Sequence, residues 1–243
     1  MQIAGPEFEA GKAMTLPANE VHLWRVELHA VAVGEARWQR VLSSDELERA
    51  KSFRFSRDQQ YFIATRGLLR LLLGSYIGCD PEQLRFGYGE KRKPFLESCR
   101  ASDPIEFNLS HSGSRALLAF TRGREVGVDI EQIRNNLDFE ALARRFFSAA
   151  EQKELAALEP PKMRQGFFRC WTRKEAYIKA TGAGLSLPLC EFDVSLGAGA
   201  ENALIATRPN PGEAKLWSLR EVAAGEGYVA ALCTRGDAWQ LKC

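Results

Sequence analysis

The chain lacks the motifs of the commoner nucleotide and hydrolytic chemistries. There is no G-x-x-x-x-G-K-[ST] phosphate loop, no G-x-G-x-x-G dinucleotide fingerprint and no H-E-x-x-H pair. ATP or NAD chemistry of the usual kinds is therefore disfavoured. A Ser-His-Asp triad has its residue types but no G-x-S-x-G elbow to support it. The six cysteines, Cys79, Cys99, Cys170, Cys190, Cys233 and Cys243, include no C-x-x-C pair. That usage fits a reduced, cytoplasmic compartment and disfavours a zinc site. No run is long enough to cross a membrane: the most apolar stretch, Gly67 to Ile77, is short and contains Arg70. Met1 to Gly11 has neither a basic start nor an apolar h-region, so no signal peptide is expected. A formal net charge of +2 is too balanced for non-specific nucleic-acid binding to be the default. Neither nucleic acid nor a membrane is an expected partner.

What is present is an ordinary globular composition. The 243 residues are 45% hydrophobic and 26% charged, enough apolar mass for one large domain or two small ones. Val21 to Leu28 reads as a strand. Ser43 with Glu46, and Ser148 with Glu151, form the S-x-x-E signature of a helix start. Phe62, Leu69, Leu72, Leu73 and Tyr76 recur at helical spacing and predict a long helix from Arg57 to Ile77. "GYGEKRKP", Gly87 to Pro94, reads as a cationic loop. Strand signals follow at Ile105 to Leu109, Arg115 to Thr121 and Glu125 to Glu131. The helix begun at Ser148 runs to Leu158, where Pro160-Pro161 breaks it. Another helix runs to about Thr181, ended by Gly182 and Gly184. Short strands are expected near Phe192, Leu204, Ala214, Tyr228 and Trp239. "ALLAFTRG" (Ala116 to Gly123) faintly echoes "VAALCTRG" (Val229 to Gly236), a hint of two related halves.

Four stretches carry residue types that could do chemistry. In "EVGVDIEQI", Glu125 to Ile133, alternation sends Val126, Val128 and Ile130 to one face and Gly127, Asp129 and Glu131 to the other. Two carboxylates on one face repel unless a cation joins them, and Mg2+ suits such a pair together with phosphate oxygens. An acidic solvent face is the alternative, and for an isolated D-x-E it is the commoner one. In the helix that ends "RCWTRKEAYIKATGAGL", Phe167, Phe168, Trp171, Glu175, Ile178 and Lys179 share one side. Glu175 and Lys179 thus border a packed surface, where an ordinary i,i+4 pair is the competing explanation. "FNLSHSG", Phe107 to Gly113, ends a strand in a Ser-His-Ser-Gly turn. His111, one of three histidines, is suited there to a phosphate or an adenine nucleotide, or else to a turn without a ligand. Lys91, Arg92 and Lys93 form the cationic loop, with Arg49, Arg66 and Arg70 as further candidate anion contacts. Solvated surface cations are the alternative.

"FNLSHS", "VGVDIE", "RFFSAAE" and "WTRKEAYIKATGAGL" occur in this order. Together they resemble the 4′-phosphopantetheinyl transferases of the Sfp type, over about Ser43 to Leu189. One departure is Arg92-Lys93-Pro94, where the family often has Gly-Lys-Pro. The resemblance implies an α/β (α+β) fold of two similar subdomains related by a pseudo-twofold axis. These are 1–122 and 123–243, the second carrying the metal-binding acids, in one monomeric chain with CoA in the cleft between. It implies transfer of the 4′-phosphopantetheine moiety of CoA to a serine hydroxyl of an apo acyl or peptidyl carrier protein, with Mg2+, releasing adenosine 3′,5′-bisphosphate. Asp129, Glu131 and Glu175 match the family's Mg2+ ligands, and Lys179 its pyrophosphate-binding lysine. Ser110 and His111 match contacts to the 3′-phosphate side of CoA. Lys91 and Lys93 match the basic loop over the nucleotide, and Arg49 a further phosphate-binding cation. Asp129, Glu175 and Lys179 form the catalytic set, with Glu175, or a water beside it, as the base.

"RNNLDFEALARRFF", Arg134 to Phe147, is expected to grip the carrier through Leu137, Phe139, Leu142 and Phe146. Arg144 and Arg145 would steer an acidic partner. Packing into the core is the alternative for each apolar residue. Two rival functions remain at this level. A metal-dependent nuclease usually has a lysine two residues after the second acid, where this chain has Ile133. A non-catalytic carrier-binding module would not need Asp129, Glu131, Glu175 and Lys179 together.

Overall fold

The computed structural model describes residues 3–6, 12–32, 35–91, 93–97, 104–200, 202–208 and 210–243. Strands β1 (Ile3–Ala4) and β2 (Glu20–Glu27) lead to helices α1 (Leu28–Ala32), α2 (Glu35–Arg40), α3 (Ser44–Lys51) and the 22-residue α4 (Ser56–Ile77). A small hairpin, β3 (Phe86–Tyr88) and β4 (Pro94–Leu96), precedes β5 (Ile105–Ser112) and β6 (Arg115–Arg122). After β7 (Val126–Gln132) come α5 (Phe139–Phe146), α6 (Ala149–Ala156) and the 22-residue α7 (Pro160–Thr181). β8 (Phe192–Val194), β9 (Leu204–Thr207), β10 (Trp217–Glu221), β11 (Tyr228–Arg235) and β12 (Gln240–Lys242) follow. No helix among the described residues is long and apolar enough to cross a membrane.

The two halves repeat one plan. A strand (β2 or β7) is followed by a long helix (α4 or α7) and then by two strands (β5 and β6, or β10 and β11). In both sheets the last of these strands lies in the middle: the orders are β2-β6-β5 and β10-β11-β7, all antiparallel. The faint echo in the sequence falls on β6 and β11, the equivalent central strands. β1 and β12 both add to β2, so the end of the chain returns to the first sheet.

Alternation along the strands builds four layers. Trp24, Phe107, Leu118 and Phe120 point to α4 and form the first core with Leu68, Leu69 and Leu72. Val21, Leu23, Leu117 and Ala119 point the other way, onto Val126, Val128, Ile130, Ala230 and Leu232 of the second sheet. Val229, Ala231 and Cys233 face α7 with Phe168, Ala176 and Tyr177. The middle layer, sheet on sheet, holds the halves together; burying each such aliphatic side chain contributes about 1.5–3 kcal/mol.

Both S-x-x-E signatures start helices, and both glutamates do more than cap. Glu46 and Glu151 accept from the backbone N–H of Ser43 and Ser148, at 3.0 and 2.8 Å. Each is also buried against a cation of its half's long helix. Glu46 pairs with Arg66 and, at 2.7 Å, with Arg70; Glu151 pairs at 2.7 Å with Lys174, itself fully buried. Arg70 is therefore an internal strut, which corrects the expectation that it contacts an external anion; Arg66 is a strut that also lines a cavity beside Arg49 and His111. Pro160 and Pro161 do not merely end a helix. They begin α7 in its first turn, where the missing N–H carries no penalty. Helix α5, inside the segment expected either to grip the carrier or to pack into the core, is capped by Asp138, whose carboxylate accepts from Ala141 N at 3.0 Å.

Candidate active site

The site begins with one close approach. Gly127, Asp129 and Glu131 face α7, while their neighbours fill the middle layer. A Cβ on Gly127 would lie 2.2 Å from the carbonyl oxygen of Ala176 and 2.3 Å from the nitrogen of Ala180. Backbone therefore meets backbone where α7 crosses β7. That contact brings Glu175 and Lys179, one turn apart, beside Asp129 and Glu131.

Lys179 Nζ donates to Asp129 Oδ1 at 2.6 Å, to Ser110 Oγ at 3.1 Å and to Val128 O at 3.4 Å. Ser110 Oγ donates to the same Asp129 oxygen at 2.8 Å. Ser112 Oγ donates to Glu131 Oε2 at 2.7 Å, and Arg134 stands 3.7 Å from that oxygen. Burial pushes the Glu175 carboxyl above its ordinary pKa, and the charges of Asp129 and Glu131 add to the shift against the pull of Lys179. Glu131 is raised as well, by burial first, with Ser112 working against it.

Among the described residues, no three histidine, cysteine or acidic side chains converge closely enough to enclose a metal ion. Asp129, Glu131 and Glu175 are neighbours but not a closed cage, which differs from the expected shared ion. Like charges repel, and each carboxylate turns to the nearest donor: Lys179 and Ser110 for Asp129, Ser112 for Glu131. The donor set still fits a hard cation. It is all oxygen, and Asp129 Oδ2 is buried without a hydrogen-bond partner among the described residues, an acceptor that is costly to leave unused. Mg2+ needs only one or two carboxylates besides water and phosphate.

Two adjoining cavities open over this group. The larger, about 670 Å³, is lined by Glu175, Lys179, Ile178, Lys91 and Lys93. The smaller, about 400 Å³, is lined by Arg49, His111, Phe53, Phe62, Thr65 and Tyr88. Asn108 and Pro94 border both. The predicted residues thus divide between the two chambers, except for Ser110, Asp129 and Glu131, which lie beneath. The His111 imidazole is held below its ordinary pKa, by desolvation first and then by the charge of Lys179. Lys93 is a surprise: its ammonium donates to Val126 O at 3.1 Å and Ala180 O at 3.3 Å, tying the N-terminal half to the end of α7. Burial lowers its pKa. Arg92 lies outside the described residues. Sequence reasoning passed over Asn108 and Ser112, although the N-x-S-x-S alternation within "FNLSHS" puts both on the face of Ser110.

The profile described as 4′-phosphopantetheinyl transferase, N-terminal, matches residues 35–122, and that of the 4′-phosphopantetheinyl transferase superfamily matches residues 125–233. The 4′-phosphopantetheinyl transferase HetI of Nostoc sp. strain PCC 7120 is 41% identical over 229 residues, 94% of this chain and 93% of that one. The chain belongs to the 4′-phosphopantetheinyl transferase family. Within this transferase the two profiles meet at the β6–β7 turn, where the two topological units also meet. The transferase Sfp of Bacillus subtilis strain 168 is 31% identical over 160 residues, 66% of this chain and 69% of that one. The solved ACPS–CoA complex of Chronobacterium ammoniagenes is 21% identical with a TM-score of 0.34, over 47% of this chain and 98% of that one; so low a score says nothing further about the fold.

Proposed function

We propose that this transferase moves the 4′-phosphopantetheine arm of CoA to a serine hydroxyl of an apo carrier protein, with Mg2+, releasing adenosine 3′,5′-bisphosphate. The observation that carries this reading is the Lys179–Asp129–Glu175 group under a two-chambered cleft flanked by Arg49, His111 and Lys91. A diphosphate must lose its negative field before a hydroxyl can approach phosphorus. Lys179 reaches the floor of the larger chamber and provides a fixed positive charge there. Asp129, Glu131 and Glu175 are the residues that would hold Mg2+, which supplies further charge neutralisation on the diphosphate.

Glu175, directly or through a water, takes the serine proton. The serine oxygen bonds to the phosphorus on the pantetheine side as the bridging P–O bond breaks. Phosphoryl-type transfer has a loose transition state, so positioning and charge account for most of the rate. Arg49 and His111 face the nucleotide end. Helix α5 is the carrier-docking element: Leu142 and Phe146 are half-buried, Phe146 meets Trp171 edge-on at 5.6 Å, and Arg144 and Arg145 are exposed.

The test is the intact mass of several apo carrier proteins after incubation with CoA, Mg2+ and the enzyme. A gain of one phosphopantetheine, lost with Glu175→Gln or Asp129→Ala, supports the reading. No gain on any carrier, together with no CoA binding by calorimetry, would sink it.

A further inference from the structure

Asp129 and Glu131 are held in the same way. Asp129 takes its hydrogen bonds on Oδ1, from Lys179 at 2.6 Å and Ser110 at 2.8 Å, and Oδ2 has no partner among the described residues. Glu131 takes Ser112 on Oε2 at 2.7 Å, with Arg134 3.7 Å from the same oxygen, and no described residue donates to Oε1. Each acid thus has one oxygen occupied by the protein and one left over. A carboxylate that serves a hard cation through one oxygen is oriented by a hydrogen bond to the other. For Asp129 that restraint comes from Lys179, already part of the cleft floor. For Glu131 the two donors are unequal. Arg134 is 50% exposed at its side chain, and a distant, solvent-screened charge restrains little. Ser112 makes the short bond.

The Ser112 hydroxyl is itself fixed. β5 pairs by backbone with β6, and β7 with β11, so the open edge of β7 meets side chains of β5. Ser112 Oγ accepts from Gln132 N at 3.1 Å. Its one proton then goes to Glu131, the residue just before Gln132. The chain beyond Ser112 is pinned as well. Ser114 N donates to Tyr228 Oη at 3.1 Å, and a Cβ on Gly113 would lie 2.5 Å from Gln132 Oε1. The turn that carries Ser112 is thus seated on the second sheet. Ser112 lines neither chamber. Its hydroxyl has a carboxylate to hold and stands clear of the cleft.

We propose that Ser112 is a positioning residue for the metal site: its hydroxyl holds Glu131 by Oε2 and so presents Oε1 to the ion. This rests on the reading that Asp129, Glu131 and Glu175 hold Mg2+. The test is titration with Mn2+ in place of Mg2+, read by the electron paramagnetic resonance of the free ion, with CoA present and no carrier protein. Glu131→Ala should weaken Mn2+ binding, and Ser112→Ala should raise the Kd for Mn2+ about tenfold or more. Adding Ser112→Ala to Glu131→Ala should cost nothing further, because the carboxylate through which Ser112 acts is gone. CoA affinity, measured by calorimetry without metal, should hold in Ser112→Ala. Unchanged Mn2+ affinity in Ser112→Ala, or in Glu131→Ala, overturns the proposal. So does an equal further loss when Ser112→Ala is added to Glu131→Ala, since the effect then runs through the joint between the sheets. A matching fall in metal-free CoA affinity assigns the effect to the cleft as a whole and also overturns it. Ser112→Cys, a weak donor of similar size, takes the place of Ser112→Ala if that variant does not fold. A wild type that binds CoA but no Mn2+ would count instead against the reading of the metal site itself.

Discussion

The ammonium of Lys179 lies 2.6 Å from Oδ1 of Asp129, and the other oxygen of that carboxylate is buried without a hydrogen-bond partner among the described residues. One bond thus links the long helix of the second half to β7, the edge strand of the second sheet, and leaves one strong acceptor beneath the cleft. Asp129 is 6% exposed at its side chain and Lys179 28%, so the pair is worth more than a surface ion pair.

Lys179→Met should remove the partner and leave a buried charge, lowering stability by about 1–3 kcal/mol in urea unfolding. Asp129→Asn combined with Lys179→Met removes both charges and should recover most of that loss, while transfer stays abolished. A double variant no more stable than Lys179→Met would show that the bond does not hold the helix to the strand.

Gly127→Ala adds one carbon at a point 2.2 Å from the carbonyl oxygen of Ala176. Helix α7 must move, and overpacking of this kind costs about 1–3 kcal/mol. Carrier modification should fall together with the melting temperature. Normal turnover would mean that the backbone approach does not set the spacing of Glu175 and Lys179 from Asp129.

Glu46 gives the fold an acid limit. Burial works to raise its pKa, but the bonds to Arg66 and Arg70 outweigh burial and hold the value below 4.5. A lowered carboxylate contributes stability that is fully present above its unfolded pKa and is lost as pH falls through the folded one. Glu46→Gln should therefore be less stable at neutral pH by about 3–5 kcal/mol, because two buried guanidiniums lose their counter-charge. The gap from wild type should narrow below pH 4.5. Urea unfolding measured from neutral pH downward checks this, and a gap that ignores pH contradicts it.

Leu142→Ala with Phe146→Ala strips the half-buried side of α5. The KM for the carrier protein should rise, with CoA affinity by calorimetry unchanged. An unaltered KM in steady-state assays would leave those residues as core packing alone, against Trp171 and its neighbours.

Much of this site could be read along the chain. Alternation within "VGVDIE" puts Asp129 and Glu131 on one face, and helical spacing puts Glu175 and Lys179 one turn apart, because both periods are properties of the backbone itself. The serine–glutamate pairs announce two helix starts for the same local reason. Tertiary structure alone decided what each side chain meets. Arg66 and Arg70 read as anion contacts or surface cations but are buried on Glu46. Lys93 reads as a phosphate-loop lysine and lines the larger chamber, yet it also grips two carbonyls, and Asn108 drew no notice at all. A period gives a side chain's direction about its own axis and nothing about what lies opposite, and here the opposite surface is set by how two sheets and two long helices stack across the middle of the molecule.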